Sequence, residues 1–207
     1  ALLKQAGIGG PVTPYHLGFL VGPRINAGGR IGDAALGSRL LTIDEPGEAE
    51  RIAKQLDELN RERQAMEAAM LAEAEAEAQA EYGTGDTASV ILTAREGWHP
   101  GVVGLLASRL KDRFRRPAFA IAFDPSGKGT GSGRSISGFD LGRMVRAAVE
   151  EGILVKGGGH AMAAGLTVER EKLGRLRSFF EERTQRTVPN LVATETLKID
   201  GALSASG

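Results

Sequence analysis

The glycine run Gly157-Gly-Gly-His160, followed by the small residues of 161–165, is the most chemically suggestive feature of the sequence. Three successive glycines can adopt backbone angles that are closed to other residues. Their N–H groups could therefore converge into an anion-binding nest, with His160 at its edge. A lone histidine is more often structural, but the glycine run and the small residues favour an anion-binding loop that includes Gly158, Gly159 and His160.

A second glycine-rich stretch, Gly127-Lys-Gly-Thr-Gly-Ser-Gly-Arg-Ser135, matches neither standard nucleotide-binding loop. Ser132 stands where a Rossmann loop has its third glycine, and Lys128 is followed by glycine where a P-loop requires Ser or Thr. Alternate glycines instead strip one face of an extended segment, so that another backbone or a ligand can approach closely. Arg134 and Ser135 then present a guanidinium fork and a hydroxyl, a pair suited to phosphate. A flexible hairpin with a solvated arginine is the alternative.

The segment Gly97-Trp-His-Pro-Gly-Val-Val-Gly104 places an aromatic residue and a histidine directly before a predicted helix, whose N-terminus favours an anion. Trp98 could stack on a nucleobase or could belong to the core. His99 could cap the helix or contact a ligand. The sequence leaves both questions open.

Several classes of site are excluded by what the 207 residues lack. There is no cysteine, which rules out disulfides, thiolate zinc sites, iron–sulfur clusters and a cysteine nucleophile, and which is compatible with a reducing cytoplasm. The three histidines show no HExxH spacing, and we find neither a metal site nor a nucleophile with a neighbouring base. No apolar run approaches the roughly 20 residues of a membrane span.

The zero net charge conceals two halves of opposite sign. Residues 1–87 carry a net charge of −6, whereas residues 88–190 carry +7. A basic block of this size suits a polyanionic partner such as nucleic acid. A simple balance of charges for solubility is the alternative interpretation.

The longest predicted element is a helix from about Gly47 to Tyr82, a stretch without proline or glycine between those ends. Its apolar stripe (Ile52, Leu56, Leu59, Met66 and Met70) recurs at helical spacing. After Met70 the pattern becomes an Ala-Glu alternation with no stripe to bury. We therefore expect a connecting strut between two separate bodies, with a coiled-coil surface or a solvated helix as alternatives.

The segments on either side predict a mixed α/β arrangement. Before the long helix, 17–21 reads as a strand or buried turn that leads into an exposed glycine-rich loop with Arg24, Asn26 and Arg30, followed by a helix at 33–41. After it, strands and helices alternate, as in a small α/β domain. The predicted strands are 88–93, 118–123, 130–136, 154–155, 163–168 and 196–202, and the predicted helices are 100–114, 141–150 and 171–186.

Four segments together carry a resemblance to a known superfamily. They are Gly22-Pro-Arg-Ile-Asn-Ala-Gly-Gly-Arg30, Gly97-Trp-His-Pro-Gly-Val-Val-Gly104 with Ala107-Ser-Arg-Leu110, Gly131-Ser-Gly-Arg-Ser-Ile136 with Gly138-Phe-Asp-Leu141, and Gly157-Gly-Gly-His-Ala-Met-Ala-Ala-Gly165. In order and spacing they closely resemble the DHH/DHHA1 phosphoesterase superfamily, and within it the bacterial single-stranded-DNA exonucleases. The resemblance covers nearly the whole chain.

The resemblance implies a small mixed-sheet DHHA1 domain of the α/β class, flanked by helices and preceded by a long connector helix. It divides the chain into the end of a DHH catalytic domain (1–43), a connector helix (44–83), a DHHA1 substrate-binding domain (84–190) and the start of a truncated oligonucleotide-binding-like domain (191–207). On this view both ends are cut, and the chain is a fragment of a longer protein.

The implied activity is metal-dependent hydrolysis of single-stranded DNA from its 5′ end to 5′-mononucleotides, in DNA repair and recombination. The superfamily holds Mn²⁺ or Mg²⁺ on Asp and His side chains of the DHH domain. Its Asp-His-His motif is absent here, so we expect neither a metal nor a catalytic residue in this chain. The substrate contacts that carry over are Arg24, Asn26, Arg30, Arg109, Arg134, Ser135 and His160, with Gly158 and Gly159.

Two other functions remain open at this point. One is a DHHA1 module that binds RNA, of the kind appended to alanyl-tRNA synthetases. The other is a related phosphodiesterase that acts on oligoribonucleotides or cyclic dinucleotides, because the Arg-Ser and Gly-Gly-His motifs are shared.

Overall fold

The computed structural model describes residues 1–83 and 88–193. Its N-terminal part is helical: α1 (Leu2–Gln5), a π-helical turn (His16–Val21), α2 (Gly22–Ile31), α3 (Ala35–Thr42) and the long α4 (Pro46–Tyr82). The remainder alternates, with β1 (Ile91–Glu96), α5 (Val103–Phe114), β2 (Ala118–Phe123), β3 (Lys128–Arg134), α6 (Leu141–Glu150), β4 (Lys156–His160), β5 (Ala163–Glu169), a 3₁₀ turn (Arg170–Lys172), α7 (Leu173–Thr184) and α8 (Val188–Ala193). The expected strand at 196–202 lies outside the described residues.

The strands form one mixed sheet in the order β1-β2-β3-β5-β4. β1 and β2 are parallel and are connected through α5, whereas the other neighbours are antiparallel. Helices α6 and α7 cover one face, where Phe119 and Phe180 stack with ring centroids 4.6 Å apart. Helices α4 and α5 pack on the other face. The predicted fold class, a small mixed-sheet α/β domain preceded by a long helix, is confirmed.

The alternate glycines of β3 make room for core side chains and not for a ligand. Gly129, Gly131 and Gly133 face the α6 side, where apolar side chains of neighbouring elements fill the space that side chains would need. A Cβ on Gly133 would lie 2.3 Å from the ring of Phe119. The close approach predicted from the sequence is therefore real, but it serves packing.

The expectation that α4 is a strut with an unpacked second half is wrong. Ala74 and Ala78 are fully buried, and they continue the stripe of Met70 at a spacing of four residues. Small side chains allow the helix to lie close to α5 and β1. The Ala-Glu alternation hid this stripe, because alanine contributes little to an apolar pattern even where it is the contact residue.

The expectation of a strand and an exposed loop at 17–32 is also wrong, because the segment is helical throughout most of its length. Gly28 in α2 and Gly32 directly after it contact α4: a Cβ on Gly28 would lie 3.2 Å from Leu56 Cδ2, and one on Gly32 would lie 2.8 Å from Leu59 Cδ1. Glycine here permits close helix packing, which outweighs its low intrinsic helix propensity.

The remaining predicted elements fall close to their observed positions, with one exception that matters. The predicted strand at 154–155 begins at Lys156 instead, so the glycine run itself is strand β4. Among the described residues, no helix is both long and apolar enough to cross a membrane.

Candidate phosphate-binding site

Two arginines from different parts of the chain meet beside the start of α5. Arg30, near the end of α2, donates from Nη1 to the carbonyl oxygen of Gly101 at 3.3 Å. Arg134, at the end of β3, donates from Nη1 to Ser132 Oγ and to the Gly133 carbonyl, both at 2.9 Å. Glycines leave room for both: a Cβ on Gly101 would lie 2.0 Å from the Arg30 carbonyl oxygen, and one on Gly104 would lie 3.1 Å from Arg134 Nη2.

The electrostatics of this corner favour an anion. Burial lowers the pKa of Arg134, and the nearby positive charge of Arg30 lowers it further. A guanidinium nevertheless stays charged in proteins. Within residues 1–83 and 88–193, neither arginine is paired with a carboxylate. Two adjacent, half-buried cations with spare donors form a site that a phosphate would stabilise.

His160 lies in the same row of the sheet as Arg134. Arg134 is the register partner of Ala163 on β5, and Ala163 is the partner of His160 on β4. Directly opposed residues share a face, and two strand spacings separate the backbones of Arg134 and His160 by about 10 Å. His160 is exposed, and its Nδ1 accepts a hydrogen bond from the Met162 N–H at 3.4 Å.

The anion-binding nest expected at 157–160 is not formed. In the extended β4 successive N–H groups point in opposite directions, so they cannot converge on one anion. Gly158 faces open space, since a Cβ there would meet nothing within 4 Å. Gly159 has φ 155°, and its carbonyl oxygen accepts from Arg146 Nη1 at 3.0 Å. A Cβ on Gly159 would lie 2.2 Å from the Ala163 carbonyl oxygen, so this glycine is required by packing.

The serine that contacts Arg134 is Ser132 and not the predicted Ser135. Ser135 is 1% exposed, and its hydroxyl donates to the Phe139 carbonyl oxygen at 2.8 Å, so it stabilises the turn before α6. Ser132 instead shares a face with Arg134 and accepts its hydrogen bond. Ser132 is not among the contacts expected from the sequence. The signal was available, because glycine at every second position from 129 to 133 places Ser132 and Arg134 together on the opposite face.

Of the other expected contacts, Arg24 and Arg109 are paired with carboxylates, whereas Asn26 is exposed. Arg24 donates to Asp57 at 2.8 Å and to the Leu20 carbonyl, which fixes α2 on α4. Arg109 is exposed and lies 3.4 Å from Glu67. Asn26 is exposed one helical turn before Arg30, and both line a groove of about 480 Å³ between α2 and α3.

The structure also answers the open question about Trp98. Its side chain is 5% exposed, belongs to the core beneath α4, and donates from Nε1 to Glu73 at 2.8 Å. It is therefore unavailable for base stacking. His99 Nδ1 accepts from the Gly101 N–H at 3.1 Å, a bond within the turn before α5.

The residues present do not fit a metal centre. No group of three or more His, Cys, Asp or Glu side chains that could hold a metal ion occurs in the described part of the chain. We therefore assign no metal-dependent step to these residues.

Comparisons with known proteins bear on the family and the fold of this chain. The DHHA1 domain family matches residues 87–186. The single-stranded-DNA-specific exonuclease RecJ of Salmonella typhimurium is 43% identical over 204 residues, which covers 92% of this chain and 33% of that protein.

Two solved structures are also similar. RecJ from Thermus thermophilus in complex with Mg²⁺ is 31% identical with a TM-score of 0.75, covering 89% of this chain and 28% of that one. An exonuclease RecJ bound to manganese is 32% identical with a TM-score of 0.77, covering 92% of this chain and 46% of that one. The chain thus spans about a third of the length of the curated relative. Residues 87–186 therefore belong to the DHHA1 domain family, and over most of its length the chain is similar to a portion of the RecJ exonucleases.

Proposed function

We propose that this chain is the substrate-gripping part of a metal-dependent exonuclease that degrades single-stranded DNA in the 5′ to 3′ direction and acts in cytoplasmic DNA repair and recombination. The observation that carries the proposal is the pair Arg30 and Arg134, two adjacent cations that have no carboxylate partner in the described chain. The relative from Salmonella typhimurium is specific for single-stranded DNA, which supports this substrate. The Mg²⁺ and Mn²⁺ complexes of the similar structures support a divalent ion in the whole enzyme.

In this proposal the two arginines hold one phosphate from two sides. Arg30 belongs to the part we assign to the end of the catalytic domain (1–43), and Arg134 belongs to the DHHA1 domain (84–190). Helix α4 connects them. Because an arginine presents a planar fork of donors, each can bind phosphate oxygens in a bidentate manner.

The supporting residues then have distinct roles. Ser132 orients the Arg134 guanidinium through its hydroxyl. His160 contacts the same nucleotide from the next strand but one, and Gly158 leaves space on the same face, whereas Gly159 acts only through packing. Asn26 and Arg109 make outer contacts, and Arg24 acts by positioning α2. Bond cleavage is assigned to groups outside this chain.

The alternatives, an RNA-binding DHHA1 module and a phosphodiesterase for short RNA or cyclic dinucleotides, lack comparable support. The similar proteins named above are specific for single-stranded DNA.

The direct test is Arg134→Ala in a fluorescence-anisotropy titration with a 5′-phosphorylated oligothymidylate. Loss of a charge-assisted contact should weaken binding by about 1.5–3 kcal/mol. The slope of log K against log salt should fall by about 0.7, the value for one phosphate contact on a single strand.

The matched control is Arg175→Ala. Arg175 is exposed on α7, which packs on the opposite face of the sheet, and its replacement removes the same charge. Equal affinity of the two variants would show that the corner is not the phosphate site. Tighter binding of an oligoribonucleotide or a tRNA than of DNA would favour the alternatives.

A further inference from the structure

The half of the sheet beyond α5 leaves one face uncovered. The buried cluster beneath α4 and α5 contains residues of β1 and β2 but, within the described residues, none of β4 or β5. Gly165 on β5 is exposed, and a Cβ there would meet only the Gly131 carbonyl oxygen, at 3.9 Å. Its partner Gly158 is equally open. We call this surface of β3, β5 and β4 the open face.

The register arranges the open face in three successive rows. His160, Ala163 and Arg134 form the first row, which is part of the candidate phosphate site. Gly158, Gly165 and Ser132 form the second, and Lys156, Thr167 and Thr130 form the third. Four residues along a strand separate the first row from the third by about 13 Å, a distance longer than one nucleotide.

Two lysines lie at the end of the open face that is farthest from Arg134. Lys156 and Lys128 both line a cavity of about 510 Å³ on this face, together with the hydroxyl-bearing Thr130 and Thr167. Both lysines are exposed, and neither forms an ion pair in the described part of the chain. Two carboxylates lie near Lys128. Glu169, its register partner on β5, pairs with Lys172 at 2.9 Å, and Asp124 accepts from Ser126 and from the Lys128 N–H and interacts electrostatically with the Lys128 charge.

We propose that the open face binds a second stretch of the single strand, with Lys156 and Lys128 contacting a phosphate at least one nucleotide away from the one held at Arg134. This inference rests on the proposed function. Charge complementarity with a polyanion and direct continuity with the arginine corner carry it. On β4 and β5 the second row consists of Gly158 and Gly165, which carry no side chains, so a sugar-phosphate backbone can pass there between the two cationic ends.

The experiment compares two ligands, thymidine 5′-monophosphate and a 5′-phosphorylated tetrathymidylate, on the 207-residue chain. The single phosphate of the monophosphate binds at the arginine corner, so Lys156→Ala should leave its affinity unchanged. The tetranucleotide reaches the third row, so the same variant should weaken it by about fivefold at about 0.1 M salt, as expected for one lost contact on a single strand. Lys128→Ala combined with Lys156→Ala should remove most of the advantage of the longer ligand.

Two variants separate failure of this inference from failure of the proposed function. Arg134→Ala should weaken both ligands, whereas Arg175→Ala should weaken neither. If Lys156→Ala weakens both ligands equally, or neither, the second contact is wrong even when Arg134→Ala behaves as expected. If Arg134→Ala is also without effect, the proposed function fails. Lysine-dependent binding of a polyglutamate peptide, without an effect on DNA, would assign the face to an acidic protein segment and overturn the inference.

Discussion

The two faces of strand β3 carry opposite chemistry within the same seven residues. On the α6 side every position is glycine, and neighbouring aromatic and aliphatic side chains occupy the space above it. On the α5 side the positions are Lys128, Thr130, Ser132 and Arg134. The difference shows that a glycine-rich strand can be a core element on one side and a binding surface on the other.

Charged groups show the same contrast between the edge strand β1 and the central strand β3. Near β1, Arg177 is paired with Glu77 at 3.3 Å and with Glu81, so its charge is neutralised by the protein. Near the end of β3, Arg30 and Arg134 have no such partner in the described chain. One cluster stabilises the contact of α4 with α7, and the other is left for a ligand.

The largest expected effect on stability comes from adding a side chain to the α6 side of β3. Gly133→Val would force side-chain atoms into the ring of Phe119, because even its Cβ would lie 2.3 Å from a ring carbon. Overpacking of a core costs about 1–3 kcal/mol, and we expect the upper end of that range. Thermal unfolding should show a clear drop in Tm.

Gly165→Ala provides the matched control on the open face, where the added methyl meets only a carbonyl oxygen at 3.9 Å. Its Tm should stay close to that of the native chain. Equal losses in both variants would contradict the assignment of packed and open faces.

The second prediction concerns His160→Ala, which removes a side chain from the open face. We expect binding of a 5′-phosphorylated oligothymidylate to weaken by about 1 kcal/mol, the net value of a typical hydrogen bond. Tm should not change, because the side chain is exposed. A lowered Tm with affinity falling only in proportion to folded protein would make His160 structural.

The smallest expected effect is the pH dependence of stability that arises from Glu77, the partner of Arg177. Burial raises the pKa of Glu77 above 4.5, although the Ala94 N–H and Arg177 act in the opposite direction. The folded state therefore holds this proton more tightly than the unfolded state. The stability from that proton is present below pH 4.5 and is lost as pH rises through the folded pKa.

Glu77→Gln removes this titration. The free energy of unfolding of the variant, relative to the native chain, should therefore increase as pH rises from 4.5 through the raised pKa. Chemical denaturation at a series of pH values measures the difference, with the exposed Glu182→Gln as the control. A difference that falls over this interval would show that the ion pair with Arg177 outweighs burial.

Much of the fold follows from local sequence signals. β2 and α6 lie at their predicted positions, because a continuous apolar run and an Asp N-cap mark them clearly. The helix that ends at Tyr82 is limited by Pro46 and Gly83, residues that break helices for steric and entropic reasons.

Glycine and alanine account for most of the differences between the predicted and the observed structure. Gly28 and Gly32 suggested a loop, the run at 157–160 suggested a nest, and Ala74 and Ala78 suggested a solvated surface. In each case a small residue permits a close contact whose partner is distant in sequence. Composition cannot distinguish an open backbone from one that another element must approach closely.

The same limit applies to the candidate site. Arg134 and His160 could be selected by type, but their shared row depends on β5 lying between β3 and β4. The pairing of Arg24 with Asp57, 33 residues away, likewise depends on how α2 packs on α4. Long-range register and packing decide which of several arginines stays available.

Helix α4 contacts α2 with its first half and α5 and β1 with its second half, so it fixes the rotational phase between the two parts that supply Arg30 and Arg134. Inserting one residue between Asn60 and Met66 would turn everything beyond it by about 100°, whereas inserting seven would nearly restore the phase but lengthen the helix by about 10 Å. The position of Arg30 relative to Arg134 therefore depends on the number of residues in this segment.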